Sequence, residues 1–230
     1  MEEAERQKGD KKGLAWQINV EGTKNIASAC KKQNIFLIHI STDCVFYDFK
    51  NIKNGYNENL KPIQNRQKLS WYGYTKLIAE QELLKTKIKC AIVRISYPFG
   101  SAKSQKDFIL KTREYINTNV PFFKDFYFTP TFIPDLAKAI ERIIKLKKTG
   151  VYHVSTTNIT TPHKIALYTA KILSLKNTIK NQKLTYYLKN NNTYIRPQNS
   201  SLNSKKTQKI LRVKFHSWQK AIDNYAHEIN

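Results

Sequence analysis

Short apolar runs that alternate with helix-period segments constrain this chain more than any other feature of it. "IFLIHIS" (35–41) is a compact apolar run that ends in polar residues, the pattern of a buried strand. "KCAIVRIS" (89–96) and "GVYHVS" (150–155) read as further strands. The segments around them carry helical periodicity: 14–33, with Ile18, Ile26 and Ala29 on one face, and about 70–86. "SQKDFILKTREYIN" (104–117) and "PDLAKAIERIIKLK" (134–147) continue the series, the second opening on proline and aspartate as a helix start should. "TPHKIALYTAKIL" (161–173) and two short helices beyond about 204 complete it. Strands separated by helices predict an α/β fold, a parallel sheet with crossover helices. A loop rich in Asn and Lys spans roughly 48–69, and 176–203 is less regular, with an Asn run at 190–192. No internal repeat interrupts this order.

Charge is the strongest compositional signal: 40 Lys and Arg against 17 Asp and Glu, a net of +23. Only seven of those 40 are arginine, the residue that makes most base contacts and bidentate phosphate contacts. The lysines are scattered along the whole chain, so charge alone does not argue for nucleic acid, and an anionic small substrate suits the same field. Cys30, Cys44 and Cys90 have no metal-ligand spacing and read as reduced thiols of a cytoplasmic protein; no metal is expected. No apolar run approaches the roughly 20 residues of a membrane-spanning helix, and the acidic, lysine-bearing N-terminus is not a signal peptide.

"SWYGYTKLIAEQELL" (70–84) places Tyr72 and Lys76 four apart at the start of a helix, on one face. An ammonium beside a phenol lowers the phenol pKa, so that it can exchange a proton with a carbonyl oxygen near neutral pH. "HISTD" supplies Ser41, Thr42 and Asp43 just past the carboxyl end of a parallel strand, where open α/β sheets bind ligands. A lone Tyr-x-x-x-Lys is weak evidence, expected about twice by chance among 13 tyrosines in so lysine-rich a chain. Its weight comes from the order: strand, Ser-Thr-Asp, polar loop, Tyr-Gly-x-Thr-Lys, helix, strand.

That order resembles the extended short-chain dehydrogenase/reductases, and within them the dTDP-4-dehydrorhamnose reductase family. "HISTDCVF", "YGYTKLIAEQ", "VRISYPFG", "TPTFIPDLAKAI", "GVYHVSTTNITT" and "RPQNSSLNSKK" are similar to family signatures and come in the family's sequence, from about residue 4 to 222. The resemblance implies reduction of the 4-keto group of a nucleotide-linked deoxyhexose with NADPH or NADH. Carried over by position, Tyr72 is the proton donor, Lys76 tunes it and holds the nicotinamide ribose, and Thr42 bonds the reacting oxygen. Asp43 and Tyr97 are expected to line the sugar pocket. Arg94 and Arg196 are weaker candidates, the first for a structural pair and the second for a phosphate. His153 reads as a core residue and Asp135 as a helix cap. Cys44 departs from the family, which has tyrosine at that position.

The seven glycines, at 9, 13, 22, 55, 73, 100 and 150, make no phosphate loop. The resemblance therefore implies an incomplete Rossmann-like sheet that lacks the N-terminal glycine-rich segment, with a small C-terminal substrate-binding lobe. Residues 1–97, joined by 134–153, are expected to belong to the dinucleotide-binding part, and 98–133 with 154–230 to the substrate lobe. Such a chain is expected to bind dinucleotide weakly alone and to need an N-terminal partner chain or a homodimer. An epimerase or dehydratase shares the Tyr/Lys core, and a non-catalytic regulatory subunit on the same scaffold is the alternative reading.

Overall fold

A computed structural model describes residues 2–47, 54–62, 65–190 and 195–229. The loop expected over 48–69 and the Asn run at 190–192 fall partly outside these residues. The chain opens with α1 (Glu2–Glu5) and α2 (Leu14–Trp16), which continues through a π-turn (Gln17–Glu21) into α3 (Gly22–Lys32). There follow β1 (Leu37–Thr42), a 3-10 turn (Asp43–Val45), α4 (Trp71–Thr86), β2 (Cys90–Ile95), β3 (Pro98–Phe99) and α5 (Phe108–Asn117). Next come β4 (Phe122–Phe123), β5 (Thr131–Phe132), α6 (Ile133–Leu146) and β6 (Gly150–His153). The chain ends with α7 (Pro162–Ile172), β7 (Asn181–Gln182), α8 (Leu184–Asn190), α9 (Lys205–Leu211) and α10 (Trp218–Ile229).

The main sheet has three strands in the order β1-β2-β6, all parallel. Helix α4 is the crossover from β1 to β2, so the α/β class read from the sequence is the class observed. The middle strand is buried on both faces: Ala91 and Val93 pack with Ala139 and Ile143 of α6 and with Leu211 and Phe215, while Ile92 packs with Ala27 and Leu83. A second core, built on Phe99, Ile109, Phe128, Ile165 and Trp218, joins α5, α7 and α10. No helix among the described residues is long and apolar enough to cross a membrane.

Caps set the helix starts. Ser70 Oγ accepts the Gly73 N–H at 3.1 Å, and the Glu5 carboxylate accepts the Trp71 N–H at 2.7 Å, so two donors at the mouth of α4 are satisfied. Asp107 does the same for α5 through the N–H groups of Ile109 and Leu110.

Two local expectations are corrected. The helical face of Ile18, Ile26 and Ala29 does not pack: Ile18 is 67% and Ile26 56% exposed. The packed face is Trp16, Val20, Thr23 and Ala27, with Trp16 stacked on Trp71 at 5.9 Å. The π-turn at 17–21 shifts the register of the residues on either side of it, so a uniform 3.6-residue period selects the wrong face. Asp135 is not the cap of α6, whose N-cap is Phe132. Its buried carboxylate instead accepts the His216 N–H at 2.8 Å and bonds His216 Nδ1 at 2.9 Å, tying α6 to the approach of α10.

Candidate active site

The site forms where β1 ends. Thr42 Oγ1 accepts the Cys44 N–H at 3.2 Å, capping the 3-10 turn, and donates to Asp43 Oδ1 at 3.1 Å. Asp43 is buried, and its other oxygen accepts from Ser96 Oγ at 2.8 Å. Burial raises its carboxyl pKa, and the polar groups of Ser200, Ser96, Thr42 and Cys44 around it oppose that rise. Helix α4 presses directly on this turn: a Cβ on Gly73 would collide with the Cys44 carbonyl. Gly73→Ala is therefore expected to destabilise the chain by about 1–3 kcal/mol, although alanine favours a helix, because one backbone must yield to the other. Urea denaturation checks it; an unchanged or raised midpoint contradicts the close approach.

Tyr72, in the first turn of α4, brings its phenol next to Thr42 and Asp43. Burial pushes its phenol up to about 12, the neighbouring Cys44 and Asp43 groups add to the rise, and Thr42 opposes it. The sequence led to the opposite expectation, a phenol acidified by Lys76. Lys76 Nζ is engaged elsewhere: it donates to the Ile40 carbonyl at 2.7 Å and lies 3.4 Å from His39 Nε2. Its own pKa is lowered by burial, with Glu80 opposing. The structure thus brings Thr42, Asp43 and Tyr72 together and places Lys76 one helical turn away, against the backbone of β1.

Tyr97 follows β2 with a left-handed backbone, φ 41°, a conformation that costs a non-glycine residue about 1–3 kcal/mol and recurs at functional sites. Its ring packs against Phe108 and Phe128 at 5.1 and 4.7 Å. It stands between a small pocket lined by Asp43, Cys44 and Ser200 and a cleft of about 660 Å³ lined by Phe108, Phe123, Lys106 and Lys111. Tyr97, Phe126 and Arg196 are walls of both. Cys44 Sγ lies 3.7 Å from Asp43 Oδ1, and burial raises the pKa of its thiol. The aromatic wall was missed in the sequence reading; the density of rings in "PFFKDFYF" (121–128) was its signal.

Behind the site lies a buried polar chain. Glu80 takes two N–H groups of Arg94 at 2.6 and 3.0 Å and Ser41 Oγ at 2.5 Å. Arg94 Nη1 lies 3.3 Å from His153 Nε2, and His153 Nδ1 bonds the Tyr56 carbonyl at 2.9 Å. Arg94 is a structural partner and His153 a core residue, as read from the sequence. Burial, then Arg94, depresses His153 to about 3; burial, then Lys76, depresses His39 to about 4. A depressed histidine contributes stability in full above its unfolded value of about 6.5 and loses it as pH falls through that window. The urea midpoint is therefore expected to fall from about pH 6.5 to about pH 4, and His39→Gln to flatten that slope. An identical slope in the variant would place the lost stability elsewhere. Among the described residues no cluster of His, Cys, Asp and Glu could hold a metal ion.

The sequence profile of the RmlD substrate binding domain matches residues 2–230. The dTDP-4-dehydrorhamnose reductase of Aggregatibacter actinomycetemcomitans is 26% identical over 222 residues, 91% of this chain and 72% of that protein. The dTDP-4-keto-6-deoxy-D-glucose reductase of Streptomyces niveus is 28% identical over 159 residues, 68% of this chain; the match spans about half of that protein, 52%. Among solved structures, the dTDP-4-dehydrorhamnose reductase of Bacillus anthracis in complex with NADP superposes with a TM-score of 0.84 at 23% identity, over 99% of this chain and 76% of that one.

Proposed function

The chain belongs to the RmlD substrate binding domain family, and from that premise we propose that it serves the NAD(P)H-dependent reduction of the 4-keto group of a nucleotide-linked deoxyhexose. The observation that carries the reading is the convergence of Tyr72 and Thr42 beside the buried Asp43, next to an aromatic cleft that Lys106, Lys111 and Arg196 help to line. A ketone oxygen placed there meets two hydroxyls. Thr42 orients it and Tyr72, protonated at neutral pH with its phenol at about 12, gives it a proton. Asp43 and Tyr97 position the sugar. Lys106, Lys111 and Arg196 outnumber Glu2 and Glu3 around the cleft, a small positive excess suited to a diphosphate, and the rings around them fit a base. We assign 98–133 and 154–230 to this substrate side, and 1–97 with 134–153 to the dinucleotide side.

A reduced nicotinamide, NADPH or NADH, would supply the hydride. The residues present fit one end of that cofactor. Tyr72 and Lys76 stand at the carboxyl edge of β1, where they would hold the nicotinamide ribose. The pyrophosphate end has no counterpart among the described residues: no glycine pair lies between a strand and a helix start, and Gly73 is filled by its contact with Cys44. Calorimetric titration of the chain with NADPH is expected to give a dissociation constant weaker than micromolar; micromolar binding would refute it. Tight binding would require the open side of β1 to be completed, by a partner chain or by a second copy. Three unpaired cysteines support the proposal that the protein works in a reducing compartment such as the cytoplasm.

Consumption of millimolar NADPH in the presence of a dTDP-4-keto-6-deoxyhexose tests the reading. Reduction of the sugar supports it. Sugar binding without any reduction favours a binding subunit instead.

A further inference from the structure

Asp43 is 3% exposed, yet among the described residues it makes no ion pair. Glu80, the buried carboxylate behind the site, has Arg94 at 2.6 Å. A carboxylate taken out of water without a cation is costly unless hydrogen bonds replace what water gave. Hydroxyls fill that role here: Thr42 Oγ1 donates to one oxygen at 3.1 Å and Ser96 Oγ to the other at 2.8 Å. Ser96, buried, follows β2 directly, and both of its backbone groups are clamped by Thr131 of β5. Its N–H donates to Thr131 Oγ1 at 3.0 Å, and its carbonyl accepts the Thr131 N–H at 2.7 Å. Thr131 Oγ1 in turn donates to the Val154 carbonyl, just past β6, at 2.6 Å. The Ser96 hydroxyl is thus aimed from a backbone that the ends of β2, β5 and β6 hold together.

We propose that Ser96 is a positioning residue of the site: its hydroxyl fixes the Asp43 carboxylate that orients Thr42, and its clamped backbone sets Tyr97 as a wall of the sugar pocket. Asp43 passes the order on. The Thr42 hydroxyl that donates to it also accepts the Cys44 N–H, and the two bonds fix the rotation of that side chain. The residue after Ser96 is Tyr97, which carries the left-handed φ of 41° and borders both the small pocket and the cleft. Strain of that kind persists only where the surroundings over-determine it, and the Thr131 clamp stands immediately before it.

The effect of Ser96 on turnover rests on the reductase reading, whereas its hold on Asp43 is measurable without substrate. A hydroxyl that donates to a carboxylate favours the charged form, so removing it raises the carboxyl pKa. The other groups that face Asp43 are Cys44 on its own turn, Tyr72 from α4, Ser200, and Lys68 and Arg196 around the small pocket. A change at Ser96 leaves all of them in place.

Carbon-13 NMR of the carboxyl groups in the full chain, with Asp43→Asn assigning the signal, reads the titration of Asp43. Ser96→Ala is expected to move it to higher pH. Ser96→Cys, nearly the same size with a weaker donor, is expected to give an intermediate shift. With millimolar NADPH and a dTDP-4-keto-6-deoxyhexose, Ser96→Ala is expected to lower kcat at least about tenfold, as a slightly misplaced reacting group does, while KM changes less than about twofold. The acid limb of its kcat profile should move up in pH together with the carboxyl. A merely structural serine would leave both the titration and the acid limb where they are, and that result in either variant that folds overturns the proposal. An unaltered chain that turns nothing over refutes the reductase reading instead, and the carboxyl titration then decides for or against Ser96 by itself.

Discussion

Glu80→Ala is expected to remove about 3–5 kcal/mol of stability, the cost of leaving a buried charge without its partner. Glu80 and Arg94 are 2% and 3% exposed, and the carboxylate takes two guanidinium N–H groups as well as Ser41 Oγ. Without it, the guanidinium keeps the ring of Phe46, 5.0 Å away, and a histidine held neutral by burial. Neither neutralises a cation in the interior. Replacing both members, Glu80→Leu with Arg94→Met, is expected to cost far less than the single change, since no lone charge remains. Urea denaturation of the three chains reads the difference. A single-variant loss below about 1 kcal/mol, the worth of an exposed pair, would mean that water reaches Arg94. The pair lies beside the site, because Ser41 immediately precedes Thr42. A loosened Ser41 is therefore expected to lower activity in any fraction that still folds.

Tyr72→Phe is expected to lower ketone reduction by about 10²–10⁴-fold, the usual contribution of a positioned general acid. The same change should cost the fold at most about 1 kcal/mol, since it removes one hydroxyl and keeps the ring. A large loss of turnover with nearly unchanged stability separates a chemical role from a packing role. Tyr72 is protonated to about 12, so proton donation should not fail across neutral pH. A rate that fell steeply through neutral pH would point to another acid. Thr42→Val is expected to act in the same direction with a smaller effect, because it removes the orienting hydroxyl and leaves the acid.

The strands and crossover helices were legible because burial on both faces writes a continuous apolar run, as in β2, and caps such as Ser70 and Asp107 mark helix starts locally. The meeting of Thr42, Asp43 and Tyr72 was legible for a related reason: the carboxyl end of β1 and the first turn of α4 are adjacent whenever that helix is the crossover. What stayed hidden depends on neighbours that periodicity does not name. A stripe containing Ile18 and Ile26 looks the same whether or not a partner covers it, and a π-turn breaks the count. The bond from Asp135 to His216 spans 81 residues, so its local pattern looks like a cap. The engagement of Lys76 with a backbone carbonyl has no sequence signature at all, and neither has the burial that raises the phenol where acidification was expected.

Transfer of label tests the central claim most directly. The chain is incubated with a dTDP-4-keto-6-deoxyhexose and NADPH deuterated at its transferable hydrogen, and the sugar is read by mass spectrometry and NMR. The account predicts one deuterium on the carbon of the former keto group, formed by the unaltered chain and lost in Tyr72→Phe. An unlabelled sugar from a chain that binds both ligands, or equal labelling by the variant, would contradict it.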